Sequence, residues 1–463
     1  MLSIRLATVS LLLAAGCASS APVATQTPAT PAPPAWTADL GSQTLEDLIV
    51  RGLEANPSLR EADASLEAMR ATGDAAEAST GVSVMLEGDL NRGRINGTSF
   101  GFKGFPSRTL TRYSFGGSAS YDLDLFGEND AVRAGASARI DAEGFRLEAA
   151  RLTLAAEIAS RAVDLAGARA EREMLQRILE GGTTTLNLVE RSISAGASGE
   201  IDRTRVRSLI AQDEALLPGL LAREASARHA LSMLTGAEAK QGEGPNLSLV
   251  DFASLTVTPV EATGEVLRAR PDIKAAEAAL KAADADRALR ASALYPHIRI
   301  GARSVQTALN PEDLFGYSAT GWSFGPSLTL PVFNRQGLHA DVRRAEAEID
   351  KADARLQAAV LRAFAEAADA LSAIETAQDD VRRQERARDL AVETLRLERK
   401  TYELGAGQLP EVITAQRLAA FAEIAVIRAK TQRLRSYIRY FAATNSRLGA
   451  ASSAAEQGQR AAD

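Results

Sequence analysis

Few residues in this chain could do covalent, metal or redox chemistry. It holds three histidines, His229, His297 and His339, and one cysteine, Cys17, in 463 residues. No histidine has a second histidine or an acid at ligand spacing that stands out from the charged background, so each reads as an isolated surface side chain. A single thiol allows neither a disulfide within the chain nor a zinc cluster. "GEGPN" and "GASGE" lack the strand-to-helix context and the lysine of a phosphate loop. An enzyme, with or without a metal or cofactor, therefore has no visible constellation to work with. What remains are two acids, Asp202 and Glu411, each placed just after a glycine-rich break in helical sequence. Carboxylates gathered at one place would repel one another and collect cations. Each would equally suit the first turn of a helix, where the dipole favours negative charge. Both readings stay open on the residues alone.

Cys17 has its own context. Arg5 is followed by a short apolar run, Leu6 to Ala15, and then by Gly16 and Cys17, which reads as a secretory signal over 1–16. That run is too short to span a bilayer, and no later uncharged run reaches about 18 residues. "LLLAAGC" resembles a bacterial lipobox, with Ala14 where leucine is usual, so Cys17 is the expected acylated N-terminus. The alternative is an ordinary signal whose cysteine is incidental. Residues 17–43, with Pro22, Pro28, Pro31, Pro33 and Pro34, read as an extended tether without a core. A net charge of -6 and the lack of a basic run argue against a nucleic-acid surface.

The elements that position the two acids occur twice. Gly196 and Gly405 stand 209 positions apart, as do Asp202 and Glu411. "NPSLREADASLEA" at 56–68 returns as "RPDIKAAEAALKA" at 270–282, and "YSFGGSASYDLDLFG" at 113–127 returns as "WSFGPSLTLPVFN" at 322–334. Such a steady offset marks a duplicated unit. Its boundaries are drawn at 44–236 and 261–447, with a connecting, equatorial segment at 237–260 and a flexible tail at 448–463.

Each copy is expected to run helix, strand, strand, long helix, break, helix. Pro57 and Pro271 sit where helices begin, a place that tolerates a missing N–H. No proline interrupts Ser107 to Leu217 or Val332 to Leu409, so a helix of about 100 Å is expected in each copy at about 1.5 Å per residue. Val342, Ile349, Leu356, Ala363, Ala370 and Ala377 recur every seven residues, and Ala345, Ala352, Ala359 and Ala373 share a second register interrupted at Glu366, a coiled-coil pattern. Gly181-Gly182 marks a weak point. Strands are expected at about 82–91, 112–125, 296–306 and 319–332. Thirteen of the 22 aromatic residues cluster around them, among them Phe100, Phe102, Phe105, Trp322 and Phe324. Such a cluster suits either an ordinary core or the girdle of a membrane barrel. Four strands cannot close a barrel, and an open edge in lipid leaves backbone groups unpaired, so a membrane sheet would need other copies.

With the duplicated plan, "YDLDLFG", "LPVFNRQG" and "YELGAGQLPEVITAQR" on the page, the chain resembles the TolC/OprM-type outer-membrane efflux proteins, in their lipoprotein (NodT-like) branch. The resemblance covers about 44–445. It implies a mostly helical chain with four β-strands, a trimeric twelve-stranded barrel in the outer membrane, and a long periplasmic helical barrel below it. It implies the channel of a tripartite pump exporting small molecules, with a periplasmic adaptor and an inner-membrane transporter as partners. Gly196, Gly199, Gly405 and Gly407 then form the helical hairpin tips, with φ > 0 the expected service of glycine there, and Asp202 and Glu411 become candidates for the gate. Position 414, one turn after Glu411, is Thr414 where the family has a second acid. The rivals are a secretion channel of the same build and a lipid-anchored periplasmic coiled-coil adaptor or scaffold, which leaves the strand pairs unexplained.

Overall fold

The computed structural model describes residues 33–96, 107–196, 199–238, 244–252, 264–333 and 335–445. Cys17, the loop aromatics Phe100, Phe102 and Phe105, and the tail from 448 lie outside them. The first repeat contains α1 (Gln43–Ala55), α2 (Pro57–Ser79), β1 (Ser83–Ile95), β2 (Arg108–Leu123), α3 (Glu128–Ser194), α4 (Glu200–Glu214) and α5 (Leu217–Leu234). The second contains α6 (Gly264–Arg268), α7 (Pro271–Ser292), β3 (His297–Ala308), β4 (Thr320–Thr329), α8 (Arg335–Glu403) and α9 (Leu409–Thr444).

The two long helices form as the proline-free runs require. α3 has 67 residues and α8 has 69. α3 passes unbroken through Gly181-Gly182. A Cβ on Gly181 would stand 2.8 Å from Gln416 Nε2 of α9, and one on Gly182 would stand 3.0 Å from Ile210 Cγ1 of α4. These glycines admit neighbours; they do not end the helix. On α8 the seven-residue seam is buried at Ala363, Ala370 and Ala377, but its partner seam is Ala367, Ile374 and Val381. Of the second expected register only Ala345 is buried, while Ala352, Ala359 and Ala373 are half-buried. Glu366 lies beside the true seam and reaches Arg270.

The core gathers where α1, α3, α5 and α9 meet, with Ile49, Ile158, Leu165, Leu231 and Phe441 among its members. Trp36 is 0% exposed there, and its ring stacks on Phe441 at 5.8 Å. Residues Ala35–Leu40 form a 3₁₀ turn. The coreless tether is corrected at this end: from Trp36 to Leu40 the chain is anchored, because one indole removes a large apolar area from water.

The strands form a single antiparallel sheet in the order β1-β2-β3-β4. β1 runs past its expected end to Ile95 because Asn91, Arg92 and Arg94 pair with Arg112, Thr111 and Thr109. β4 stops at Thr329, before Pro331, which lacks the N–H a ladder needs.

Candidate channel wall and entrance

The register decides what the sheet can do. Val84, Leu86 and Leu90 of β1 share one face with Tyr113, Phe115 and Tyr121 of β2. The same face continues through Ile298 and Ile300 of β3 to Trp322, Phe324 and Leu328 of β4. The opposite face carries Glu87, Asp89, Asn91, Ser114, Ser118, Ser120, Asp122, Arg299, Arg303, Ser323 and Ser327. The division holds along most of the sheet and breaks toward the β1–β2 loop, where Arg92 and Arg94 join the apolar face and Leu110 and Ile95 the polar one. Met85 and Val305 are further apolar exceptions on the polar side, and Ser304 and Gln306 further polar ones on the other. The apolar face has no cover: Trp322 is 75% exposed, Phe324 72% and Leu86 69%. Leaving such side chains in water forgoes about 1.5–3 kcal/mol each. β1 and β4 each pair on one side only, so both sheet edges offer bare backbone donors and acceptors. Among the described residues no helix is long and apolar enough to cross a membrane.

At the far end of the long helices lie the glycine-rich breaks. Gly196 and Gly405 both adopt φ +75°. After α8 the Gly405 N–H donates to the Tyr402 carbonyl and the Ala406 N–H to the Thr401 carbonyl, the paired bonds of a Schellman turn. Gly199 and Gly407 depart from expectation, since neither has positive φ. Gly407 is there for space: a Cβ would stand 3.0 Å from the Tyr402 nitrogen. Gly199 begins α4 with extended backbone and open surroundings.

Val189, Val206, Leu409 and Ile413 form one buried cluster, so the start of α9 packs against the α3–α4 tip. Asp202 lies one turn before Val206, and Glu411 lies between Leu409 and Ile413. The Asp202 carboxylate accepts the Gly199 N–H at 3.3 Å and the Arg205 guanidinium at 3.2 Å. It therefore caps its helix, and glycine, lacking a side chain, returns only a backbone bond. Arg203 bonds Glu200 instead. Glu411 is exposed on the first turn of α9.

Several polar ties were not read from the sequence. Glu171, buried on α3, accepts Arg223 of α5 at 2.8 Å and Arg428 of α9 at 3.0 Å. Asp213 of α4 takes Arg417 of α9 at 2.9 Å. Arg270 is buried and donates to Asp272, Glu366 and the Ala443 carbonyl. Burial works against the Arg270 charge, but the bonds to Asp272 and Glu366 outweigh it and raise the guanidinium pKa. His297, read as isolated, faces Asp122 and Glu128. Apart from Asp272, two residues from Arg270, every one of these partners is far away in sequence, and no local pattern announces it.

The architecture is that of an outer-membrane channel, and the family model for outer membrane efflux proteins matches residues 48–237 and 262–446. The chain belongs to the outer membrane efflux protein family. It is 30% identical over 412 residues to outer membrane protein OprJ of Pseudomonas aeruginosa, covering 86% of this chain and 83% of that one. It is 27% identical over 424 residues to Nodulation protein T of Rhizobium leguminosarum bv. trifolii, covering 90% and 87%. The fold matches the solved outer-membrane channel OprN with a TM-score of 0.81 at 26% identity, over 90% of this chain and 94% of that one. The protein's place is the outer membrane, with the long helices in the periplasm.

Proposed function

We propose that three copies of this chain close one channel that carries small molecules outward through the outer membrane, as the outer part of a tripartite efflux pump. The observation that carries this reading is the sheet with one apolar face, one polar face and two unpaired edges. Lipid would cover the apolar face, and backbone groups left unpaired in lipid cost several kcal/mol each, so β4 of one copy must pair with β1 of the next. Two copies would make eight strands, a barrel that side chains fill; three make twelve and leave a water-filled lumen. Glu87, Asp89, Arg112 and Arg303 would then line that lumen.

A periplasmic adaptor would meet the α3–α4 and α8–α9 tips, with an inner-membrane transporter beyond it. Cys17 would carry the acyl chains, since one chain holds a protein only marginally and several, with the barrel, secure it. Native mass spectrometry in detergent tests the assembly: three chains are expected, and a dominant monomer or dimer removes the reading. Cys17→Ser is expected to abolish labelling by a fatty-acid probe; equal labelling would refute acylation there.

A further inference from the structure

Where β2 runs into α3, three carboxylates gather around one imidazole. His297, the first residue of β3, sets Nε2 3.0 Å from Asp122 Oδ1 and Nδ1 3.2 Å from Glu128 Oε2. Asp122 belongs to the end of β2, and Glu128 is the first residue of α3. A neutral imidazole has one N–H and one lone pair. It can donate to one of these carboxylates but must turn its lone pair on the other. Only the imidazolium, which donates from both nitrogens, satisfies the arrangement as it stands.

The two carboxylates are not held alike. Asp122 also accepts Arg299 Nε at 2.6 Å and Nη2 at 3.1 Å, so it keeps a partner whatever the ring does. Glu128 makes no other ion pair among the described residues. The remaining groups cannot replace His297. Asp124 lines the same cavity of about 230 Å³ as Glu128 and His297. One of its oxygens takes the Asp130 N–H at 3.1 Å, and the other is buried without a partner among the described residues. Arg133, one turn into α3, is turned to Asp130 and Thr80. Tyr295 stacks on Phe126 at 4.9 Å.

We propose that His297 is a proton switch at the joint between sheet and helix. Charged, it ties Glu128, and with it the first turn of α3, to β3. Neutral, it keeps its N–H on Asp122, whose position Arg299 fixes, and releases Glu128 to water. The helix start survives release because a carboxylate is favourable at a helix N-terminus. What loosens is the joint.

Hydrogen exchange on the intact protein in detergent, at about pH 5.5 and about pH 8, spans the range in which a histidine charge changes. After correction for intrinsic exchange, the peptide over 126–134 is expected to lose about fivefold in protection at the higher pH, the scale of one half-exposed ion pair. Peptides at the hairpin tips are expected to show no such change. In His297→Gln the 126–134 peptide stays at its looser level at both pH values. Glu128→Gln, which leaves His297 and the Asp122–Arg299 pair in place, likewise loses the pH response. A wild type without the response, or either variant retaining it, overturns the switch.

Discussion

The two repeats make the same tie with different chemistry. Asn56 stands before Pro57; its Oδ1 accepts the Ser58 N–H at 2.9 Å and its Nδ2 donates to the Leu234 carbonyl at 2.9 Å. Arg270 stands before Pro271, and its guanidinium donates to the Ala443 carbonyl at 2.9 Å. Leu234 and Ala443 occupy the same place in the two copies, the last turn of α5 and of α9, where helix carbonyls lack intrahelical partners. Asparagine caps one helix and ties down another. Arginine cannot cap, but through Glu366 it draws in α8 as well. What the copies share is the position of the tie, and the second copy has spent charge to extend it.

Breaking both ties measures the difference. Arg270→Ala is expected to cost about 2–3 kcal/mol, since it removes charged hydrogen bonds from a buried site. Asn56→Ala is expected to cost about 1 kcal/mol, the scale of a lost N-cap. Guanidinium-induced loss of assembly and of helix signal would rank the two. Equal costs would show that the extra bonds of Arg270 contribute nothing net.

The hairpin turns sharpen the comparison, because here the copies agree. Gly196→Ala and Gly405→Ala are each expected to cost about 1–2 kcal/mol, since both demand the left-handed conformation and both have open space around them. Gly407→Ala adds a clash with backbone, whereas Gly199→Ala is expected to be close to neutral. A large effect at Gly199 would mean that something outside this chain packs against it.

Acid should separate the ties as well. Burial pushes the Asp272 carboxyl up, but Arg270 outweighs it and holds the pKa below the ordinary aspartate value. Its stabilisation is therefore complete above the unfolded value, about 3.9, and is lost as pH falls through the lower folded value. Asp272→Asn is expected to flatten that acid limb of the stability curve, while Asn56, which does not titrate, contributes nothing to it. An unchanged acid limb in the variant would contradict the assignment.

A modest effect on stability is expected at the two hairpin acids. Asp202→Ala together with Glu411→Ala is expected to cost only about 1 kcal/mol of cap and dipole energy. If these acids stand at the narrow end of the proposed trimer, the same variant loses cation preference in planar bilayers. Unchanged selectivity in a correctly assembled variant would leave capping as their whole role.

The repeat, the two long helices and the four strands were legible because they rest on local signals. Proline-free runs, alternating strands and glycine turns act within a few residues of themselves. The copies even correspond through a break: α4 and α5 together occupy 200–234, and α9 runs unbroken over 409–444. Pro218 stands at the interruption, where it removes a backbone donor and crowds the preceding turn. The ties were hidden for the converse reason. His297 meets residues 169 and 175 positions away, and Arg270 reaches a carbonyl 173 positions away. Trp36 looked like part of a tether because its neighbours are prolines, while the ring it stacks on belongs to the last helix.

The bare edges of the sheet bear on the genetics of the channel. If each copy must complete its neighbours, a chain that folds but carries a damaged β4 edge is not merely idle. It joins rings and leaves them open. With normal and damaged chains made in equal amounts and mixing at random, roughly one ring in eight would be wholly normal. Lesions in β1 or β4 should therefore be dominant over the wild-type copy, whereas lesions that stop the chain from folding should be recessive.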